Sequence, residues 1–273
     1  MASWKKLSGE KNWQGLLKPL NSDLRRYKTH GERVQAVYDS VNPEDETCPA
    51  YQKEDLFSKV VMETDKFGKL YTVTDYFYAM SDVAPLFDSI VLNAVKILVN
   101  KFEYRNEEIS ITVVGHSLGA ALATLNATDI VANKFNKRAR SNKICMVTAF
   151  VFASPKVGNE GFRNIFNGLS NLHLLRIENR LDIVTDLPPS EISYRKVGMK
   201  LRIKSHKSAL LNLTDGLQLH DIIPQSHNMK EYLQGVTNKS VKSSLGNRAI
   251  ARKSQLGQPR SKLYLMRGLK HKK

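Results

Sequence analysis

The chain has 273 residues, of which 41% are hydrophobic, and its formal net charge at neutral pH is +16. This length allows one large domain with a substantial core or two small ones, and the hydrophobic share is that of a globular protein. Residues 237–273 hold 11 lysines and arginines and no acidic residue, which leaves a net charge of +5 for residues 1–236. We interpret this basic segment as a disordered or loosely attached tail.

The cysteines and the hydropathy pattern exclude several classes of protein. Cys48 and Cys145 are too few for a disulfide framework, and Cys145 lies in an apolar run that predicts a buried strand. That run, residues 144–153, is the longest apolar stretch and is too short to span a bilayer. The first residues lack the apolar core of a signal peptide, and Glu10 argues against a transit peptide. We therefore predict a cytoplasmic protein in a reducing compartment.

The first eighty residues give only local signals. Residues 4–22 carry Trp4 and Trp13 without helical periodicity, and we expect an ordered arm that packs aromatic side chains on the body. Asp23 can cap a helix that extends to about Tyr38. The further predictions are a polar loop over residues 42–49, a short helix over 52–61, a strand over 70–73 and an aromatic-rich link over 75–80.

A regular alternation of helices and strands begins at residue 87. Apolar residues recur there at intervals of three and four, which predicts an amphipathic helix with Ile90, Val91 and Ile97 on its apolar face. The elements that follow are strands over residues 109–113, 144–153 and 172–177, an Ala/Leu-rich helix over 120–135, and a helix that directs Phe162, Ile165, Phe166 and Leu169 inward. The alternation predicts an α/β fold with a mainly parallel sheet and catalytic loops at the carboxyl ends of its strands.

Between the first of these strands and its helix stands Gly115-His116-Ser117-Leu118-Gly119. A Gly-x-Ser-x-Gly turn between strand and helix is typical of a nucleophile elbow, in which the small residues let strand and helix pack closely around a strained serine. Ser117 is therefore the candidate nucleophile. The amide of Leu118, at the positive end of the helix, is the candidate oxyanion donor. A tight structural turn is the alternative interpretation.

A serine hydroxyl becomes a nucleophile when a histidine takes its proton and a carboxylate orients that histidine. On this fold the carboxylate follows the serine along the chain and the histidine comes last. Three carboxylates follow the strand over residues 172–177, namely Glu178, Asp182 and Asp186. Spacing favours Asp182 because it lies in the loop itself, while the other two remain candidates.

Four histidines follow these carboxylates. His206 and His271 lie in basic surroundings, and we interpret them as surface residues. His220 and His227 flank a loop, and only His227 opens a helix-like run, residues 228–236. The sequence favours His227 as the base and leaves His220 as the alternative.

The combined pattern resembles the class 3 lipases, and more closely their plant phospholipase A1-II group. The stretches that carry the resemblance are the elbow with its Ala-Ala-Leu-Ala continuation, Phe-Ala-Ser-Pro-Lys-Val-Gly-Asn at 152–159, Arg-Ile-Glu-Asn-Arg-Leu-Asp-Ile-Val at 176–184, His-Asn-Met-Lys-Glu-Tyr-Leu-Gln-Gly-Val at 227–236, and residues 13–27. The resemblance implies an α/β-hydrolase that cleaves the sn-1 ester of a phospholipid through an acyl-enzyme, with no metal or organic cofactor. It selects Ser117, Asp182 and His227 as the catalytic residues, with the Leu118 amide at the oxyanion.

The chain also departs from that group. Members carry a long further segment between the positions that match residues 82 and 87, with early sheet strands, an Arg-Gly-Thr loop that supplies a second oxyanion donor, and a lid. No Arg-Gly-Thr occurs in this sequence. We therefore predict an α/β-hydrolase domain over residues 1–236 whose sheet is incomplete at its early strands, with residues 70–73 and 197–203 as substitute strands.

A second hypothesis comes from a different functional class. A catalytically impaired homologue would keep the elbow as a scaffold and bind lipid surfaces with the basic tail of residues 237–273. The expected partners are a phospholipid or another acyl lipid and, as a further hypothesis, the surface of an anionic membrane. Nucleic acid is the weakest candidate because the tail holds no recognised reading motif.

Overall fold

The computed structural model describes most of the chain. The described residues are 2–40, 50–51, 71–78, 84–101, 104, 106–139, 141, 143–204, 225–235 and 262–268. The helices are α1 (Trp4–Leu7), α2 (Tyr27–Asp39), α3 (Ala84–Val99), α4 (Leu118–Ala132), α5 (Glu160–Asn167) and α6 (Met229–Gly235). The strands are β1 (Tyr71–Tyr78), β2 (Ser110–His116), β3 (Met146–Phe152), β4 (Leu172–Asn179), β5 (Met199–Ile203) and β6 (Lys262–Gly268).

Four of the strands form one parallel sheet in the order β2-β3-β4-β5. Helix α4 connects β2 to β3, and α5 connects β3 to β4. The predicted α/β class with a mainly parallel sheet is therefore confirmed. Strand β3 reads Met-Val-Thr-Ala-Phe-Val-Phe and is buried over nearly its whole length, because a parallel strand in the middle of a sheet has both faces covered.

Each face of the sheet has its own hydrophobic core. Residues that alternate along β3 take part in different cores, with Val147 and Val151 in one and Phe150 and Phe152 in the other. The first core contains the buried side chains of α3 and α4, namely Val91, Val95, Val99, Ala120, Ala123, Ala127 and Ile130. The second contains side chains from the amino-terminal arm, α2 and α6, namely Trp13, Leu16, Leu24, Tyr27, Val34, Met229 and Tyr232.

The amino-terminal arm is ordered on the body, as predicted, and Trp13 is its anchor. Its indole is 1% exposed, lies edge-on to Phe150 with 6.0 Å between ring centroids, and donates a hydrogen bond to the Leu7 carbonyl. Trp4 remains 39% exposed, so only one of the two tryptophans has the predicted role.

The elbow strand β2 lies at one edge of the described sheet. This is the position expected for it when the early strands are missing, as predicted from the sequence. Strand β5, at the other edge, is the substitute strand predicted over residues 197–203. The prediction for residues 70–73 was wrong in its placement, because β1 pairs antiparallel with β6 in a separate two-stranded sheet. Strand β1 also continues to Tyr78, into the segment predicted as a link.

Residues 262–268, within the segment predicted as a disordered or loosely attached tail, form strand β6. Its Lys-Leu-Tyr-Leu-Met segment has leucines two residues apart between polar residues, a period that suits a strand and that net charge alone conceals. The division of the chain at residue 236 stays a prediction. The predicted loop over residues 42–49 and helix over 52–61 lie outside the described residues.

The predicted inward faces of two helices were partly wrong. Helix α3 buries Val91, Val95 and Val99, whereas Ile90 and Ile97 are 40% and 65% exposed. Apolar residues surround most of this helix, so their spacing does not define a single face. In α5 Phe166 is buried but Ile165 is exposed. None of the described helices combines the length and the apolar composition needed to cross a bilayer.

Gly198, directly before β5, provides a test of this packing. It has φ +71°, and a Cβ added there would lie 2.5 Å from the Leu174 carbonyl oxygen. Gly15 has a similar φ of +77°, but a Cβ added at Gly15 would have no atom within 4 Å. We expect Gly15→Ala to lower the free energy of unfolding by about 1 kcal/mol through backbone strain alone, and Gly198→Ala by about 3 kcal/mol because β4 must also shift.

Urea unfolding of the two variants measures the difference. Equal losses of stability would contradict the close approach of Gly198 to β4.

Candidate active site

The turn between β2 and α4 holds Ser117 in a strained conformation. Its φ of 56° and ψ of −125° lie outside the regions that side-chain-bearing residues normally occupy. The strand and helix approach so closely that a Cβ on Gly115 would lie 2.2 Å from the Gly119 carbonyl oxygen. The Ser117 amide donates to the carbonyl of Phe152, at the end of β3. This local geometry is that of a nucleophile elbow.

The structure brings His227 to the Ser117 hydroxyl. The distance from His227 Nε2 to Ser117 Oγ is 2.7 Å, although 110 residues separate the two along the chain. His227 lies two residues before the first residue of α6, in a segment that is hydrogen-bonded to the end of β4 and the loop after it. Ser226 Oγ donates to the Leu181 carbonyl, and Asn179 Nδ2 donates to the Ser226 carbonyl. The histidine backbone is therefore fixed from the same loop that carries the candidate carboxylates.

Asp182 is the carboxylate that faces this histidine. Its Oδ2 lies 2.9 Å from His227 Nδ1, and the residue is only 3% exposed. Because an ionised carboxylate accepts hydrogen bonds but donates none, Nδ1 carries the proton and Nε2 is left to accept the serine hydroxyl. The three side chains form one chain of hydrogen bonds from Asp182 to Ser117.

Two further donors hold the Asp182 carboxylate in place. The Val184 amide donates to Oδ1 at 3.0 Å, because Asp182 is the N-cap of the short 3₁₀ helix Ile183–Asp186. The Tyr232 hydroxyl, on α6, donates to Oδ2 at 2.6 Å. Burial and the neighbouring Asp182 raise the pKa of Tyr232, so its hydroxyl keeps the proton that it donates. Sequence reasoning assigned no role to Tyr232.

His116, the residue before the nucleophile, links the elbow to the histidine segment. Burial lowers its pKa to about 4, and the nearby His227 adds to this effect. The ring is therefore neutral at pH 7. Its Nε2 lies 2.8 Å from the His227 carbonyl oxygen and must donate to it, so Nδ1 accepts from the Tyr38 hydroxyl at 2.8 Å. The elbow pattern contains this histidine, but only the structure reveals what it contacts.

The other two candidate carboxylates do not reach the site. Glu178 is buried in an ion pair with Arg176 at 3.0 Å, and Asp186 points to solvent and pairs with Lys196 at 2.8 Å. His206, His220 and His271 lie outside the described residues. Within the described residues no cluster of three or more metal-binding side chains occurs.

An apolar pocket begins at Leu118, the residue after the nucleophile. It has a volume of about 700 Å³. Its walls come from α4, the turn after β3 and the loop after Asp186, and its lining residues are Leu118, Ala121, Leu125, Pro155, Lys156, Val157, Gly158, Leu187, Pro188, Pro189 and Tyr194. The Leu118 amide begins α4, where the helix leaves its first amides without intrahelical acceptors. A carbonyl carbon next to Ser117 Oγ would thus have a free amide and an apolar cleft nearby.

Comparison of the sequence with known proteins identifies the family of this chain. Residues 48–192 match the family model of lipase (class 3). Phospholipase A1-IIgamma of Arabidopsis thaliana is 32% identical over 343 residues, covering 87% of this chain and 80% of that protein. Phospholipase A1-II 6 of Oryza sativa subsp. japonica is 47% identical over 151 residues, covering 54% and 34%. The Arabidopsis alignment is longer than this chain of 273 residues, so that relative contains segments that this chain lacks.

Solved structures give weaker likenesses. The triacylglyceride lipase of Rhizomucor miehei has 22% sequence identity and a TM-score of 0.36, covering 56% of this chain and 55% of that one. The MDLA N225Q mutant from Penicillium cyclopium has 17% identity and a TM-score of 0.42, covering 67% and 81%. Both TM-scores are below 0.5, so the assignment rests on the sequence matches. On those matches, the chain belongs to the class 3 lipase family and to its plant phospholipase A1-II group of carboxylic ester hydrolases.

Proposed function

We propose that the chain hydrolyses the sn-1 ester of a phospholipid through a covalent acyl-enzyme, with Ser117, His227 and Asp182 as catalytic residues. The observation that carries this proposal is the continuous hydrogen-bond chain of 2.7 Å and 2.9 Å that ends at a serine beside an apolar pocket. Phospholipid as substrate and the sn-1 position come from the names of the plant relatives.

In the first half-reaction Ser117 Oγ attacks the acyl carbonyl carbon while its proton passes to His227 Nε2. The carbonyl oxygen becomes an oxyanion that the Leu118 amide stabilises, assisted by the positive end of α4. The C–O bond to the glycerol then breaks, and His227 returns the proton to the leaving lyso-lipid oxygen. Asp182 stays ionised and stabilises the imidazolium that exists between the two transfers.

In the second half-reaction water takes the place of the lyso-lipid. His227 removes a proton from the water, whose oxygen attacks the acyl carbon of the ester on Ser117. The bond to Ser117 Oγ breaks, the serine regains its proton from His227, and the fatty acid leaves. All proton transfers use the same imidazole, so the reaction needs no further acid or base. A cytoplasmic location and contact with anionic membranes stay predictions.

The catalytic assignment predicts selective covalent labelling. We expect a fluorophosphonate probe to label the wild-type chain at Ser117 and to leave Ser117→Ala unlabelled. We expect Asp182→Asn to lower kcat by about 10⁴-fold, because the histidine loses the partner that fixes its tautomer. Mass spectrometry of the labelled peptide and turnover of a p-nitrophenyl ester measure the two effects.

A matched control separates this effect from a general loss of charge. Glu191→Gln removes an exposed carboxylate nine residues further along and should leave turnover unchanged. A folded wild-type chain that takes no label would refute the proposed chemistry.

Two buried tyrosines test how Asp182 is held. The Tyr232 hydroxyl donates to Asp182, whereas the Tyr27 hydroxyl is buried without a hydrogen-bond partner among the described residues. We expect Tyr232→Phe to lower kcat about tenfold and the free energy of unfolding by about 1–2 kcal/mol, since the buried carboxylate loses a donor. Tyr27→Phe should change neither by much, because no bond is lost. If Tyr232→Phe and Tyr27→Phe had equal effects in esterase assays and in urea unfolding, this would argue against a role for the Tyr232 hydroxyl.

His116 makes the stability of the fold depend on pH. Its pKa is about 4 when folded and 6.5 when unfolded, so between these values the unfolded chain binds a proton that the folded chain does not. The stabilisation is complete above pH 6.5 and falls as the pH drops through this window, by about 3 kcal/mol in total. His116→Asn, which does not titrate, should lose correspondingly less stability between pH 7 and pH 4. Parallel losses in the two chains, measured by urea unfolding, would contradict the buried neutral ring.

A further inference from the structure

One cation lies in the wall of the otherwise apolar pocket. Lys156 follows β3, and its amide donates to the Leu187 carbonyl at 2.7 Å while its Nζ donates to the Pro188 carbonyl at 2.9 Å. Lys156 thereby connects two walls of the pocket. An ammonium group has three hydrogens to donate. The Pro188 carbonyl accepts one of them, and no other acceptor for Nζ occurs among the described residues.

Two further cations act on Asp186, which directly precedes the pocket-lining residue Leu187. Lys196 Nζ lies 2.8 Å from Asp186 Oδ1. The hydrogen bond from Lys196 is the largest cause that holds the pKa of Asp186 below its usual range, and the positive charges of Lys196, Lys156 and Arg202 contribute as well. Lys196 thus contacts a carboxylate whose side chain is 77% exposed, and Lys156 and Arg202 act on it electrostatically. We call Lys156, Lys196 and Arg202 the cationic rim.

The neighbouring acidic groups do not balance this charge. Glu178 accepts from Lys196 at 3.2 Å, but it is also paired with Arg176 at 3.0 Å, so four cations share two carboxylates. Glu160 is occupied by Arg163 and Arg195. The cations of these pairs therefore outnumber their carboxylates beside an apolar cleft. In water-exposed surroundings such an excess attracts an anion, and a phosphate accepts hydrogen bonds from ammonium and guanidinium groups especially well.

We propose that the cationic rim binds the phosphate group of the phospholipid, with Lys156 as the residue that reaches it from the pocket wall. This inference rests on the proposed function. The sn-1 ester and the phosphate are attached to the same glycerol, so a substrate with its acyl chain in the pocket presents its phosphate close by. The rim acts as a specificity determinant, because a neutral diacylglycerol offers the same ester but no anion.

The kinetic test compares three substrates. These are phosphatidylglycerol and a diacylglycerol with the same acyl chains, both in detergent micelles, and p-nitrophenyl butyrate, which has no phosphate. We expect Lys156→Met to raise KM for phosphatidylglycerol about tenfold more than it raises KM for either of the other two substrates. Lys156→Arg should restore most of the affinity. Equal losses on all three substrates would show that Lys156 only holds the pocket walls together, which overturns the proposal.

A matched control and a binding assay complete the experiment. Lys143→Met makes the same charge change at an exposed position near the amino end of β3, away from the catalytic edge, and should have no effect. In the Ser117→Ala background, binding to phosphatidylcholine vesicles should increase when phosphatidylglycerol is added, and Lys156→Met should reduce that increase whereas Lys143→Met should not. This assay does not need turnover, so it still tests the rim if the wild-type chain proves inactive on every substrate.

Inorganic phosphate distinguishes the two sources of the anion. Competitive inhibition of phosphatidylglycerol hydrolysis by phosphate, lost in Lys156→Met, would show that the rim recognises phosphate itself. Vesicle binding that depends on Lys156 without such inhibition would show that it requires the lipid headgroup. Vesicle binding that is unchanged in Lys156→Met would overturn the proposal.

Discussion

The site depends on one contact between distant parts of the chain, the hydrogen bond from His116 Nε2 to the His227 carbonyl. His116 is the last residue of β2 and adjoins the nucleophile, so this bond fixes the histidine segment relative to the elbow. Burial keeps the His116 ring neutral by lowering its pKa to about 4, so that Nε2 donates this bond while Nδ1 is free of a proton. The Tyr38 hydroxyl then satisfies the second ring nitrogen. Three elements, β2, α2 and the segment before α6, are thereby linked around the Ser117–His227 pair.

The position of β2 explains why such links are needed. Within the described sheet β2 has a neighbour on one side only, so β3 is the only strand that supports the elbow. The Ser117 amide bonds to the end of β3, and α2 packs against β2 from the face of the second core. The two edges of the sheet also differ in charge. Strand β5 carries exposed Lys200 and Arg202, which discourage pairing with another strand, whereas residues 110–114 of β2 carry no charge.

Some of this architecture could be predicted because its signals are local. The elbow, the strands around it and the parallel sheet follow from periodicity and a five-residue motif. Spacing favours Asp182 and His227, and family resemblance was needed to exclude the other carboxylates and histidines. The support around them could not be predicted. Tyr232 looks like any core aromatic of an amphipathic helix, and its bond to Asp182 joins residues 50 positions apart. Likewise β1 and β6 pair although nearly two hundred residues separate them. Periodicity can indicate that a segment forms a strand, but it does not indicate which distant strand it pairs with.

The remaining question is how well a site of this kind would stabilise an oxyanion. The sequence contains no Arg-Gly-Thr, so the second donor of the family's oxyanion hole has to come from another segment or is missing. Loss of one such donor costs about 3 kcal/mol of transition-state stabilisation, equivalent to a rate loss of roughly 10²–10³-fold. Loss of a triad member costs several orders of magnitude, because the nucleophile is then no longer activated. A chain that keeps the hydrogen-bonded Asp182, His227 and Ser117 but has the Leu118 amide alone is therefore expected to be a slow esterase rather than an inert scaffold.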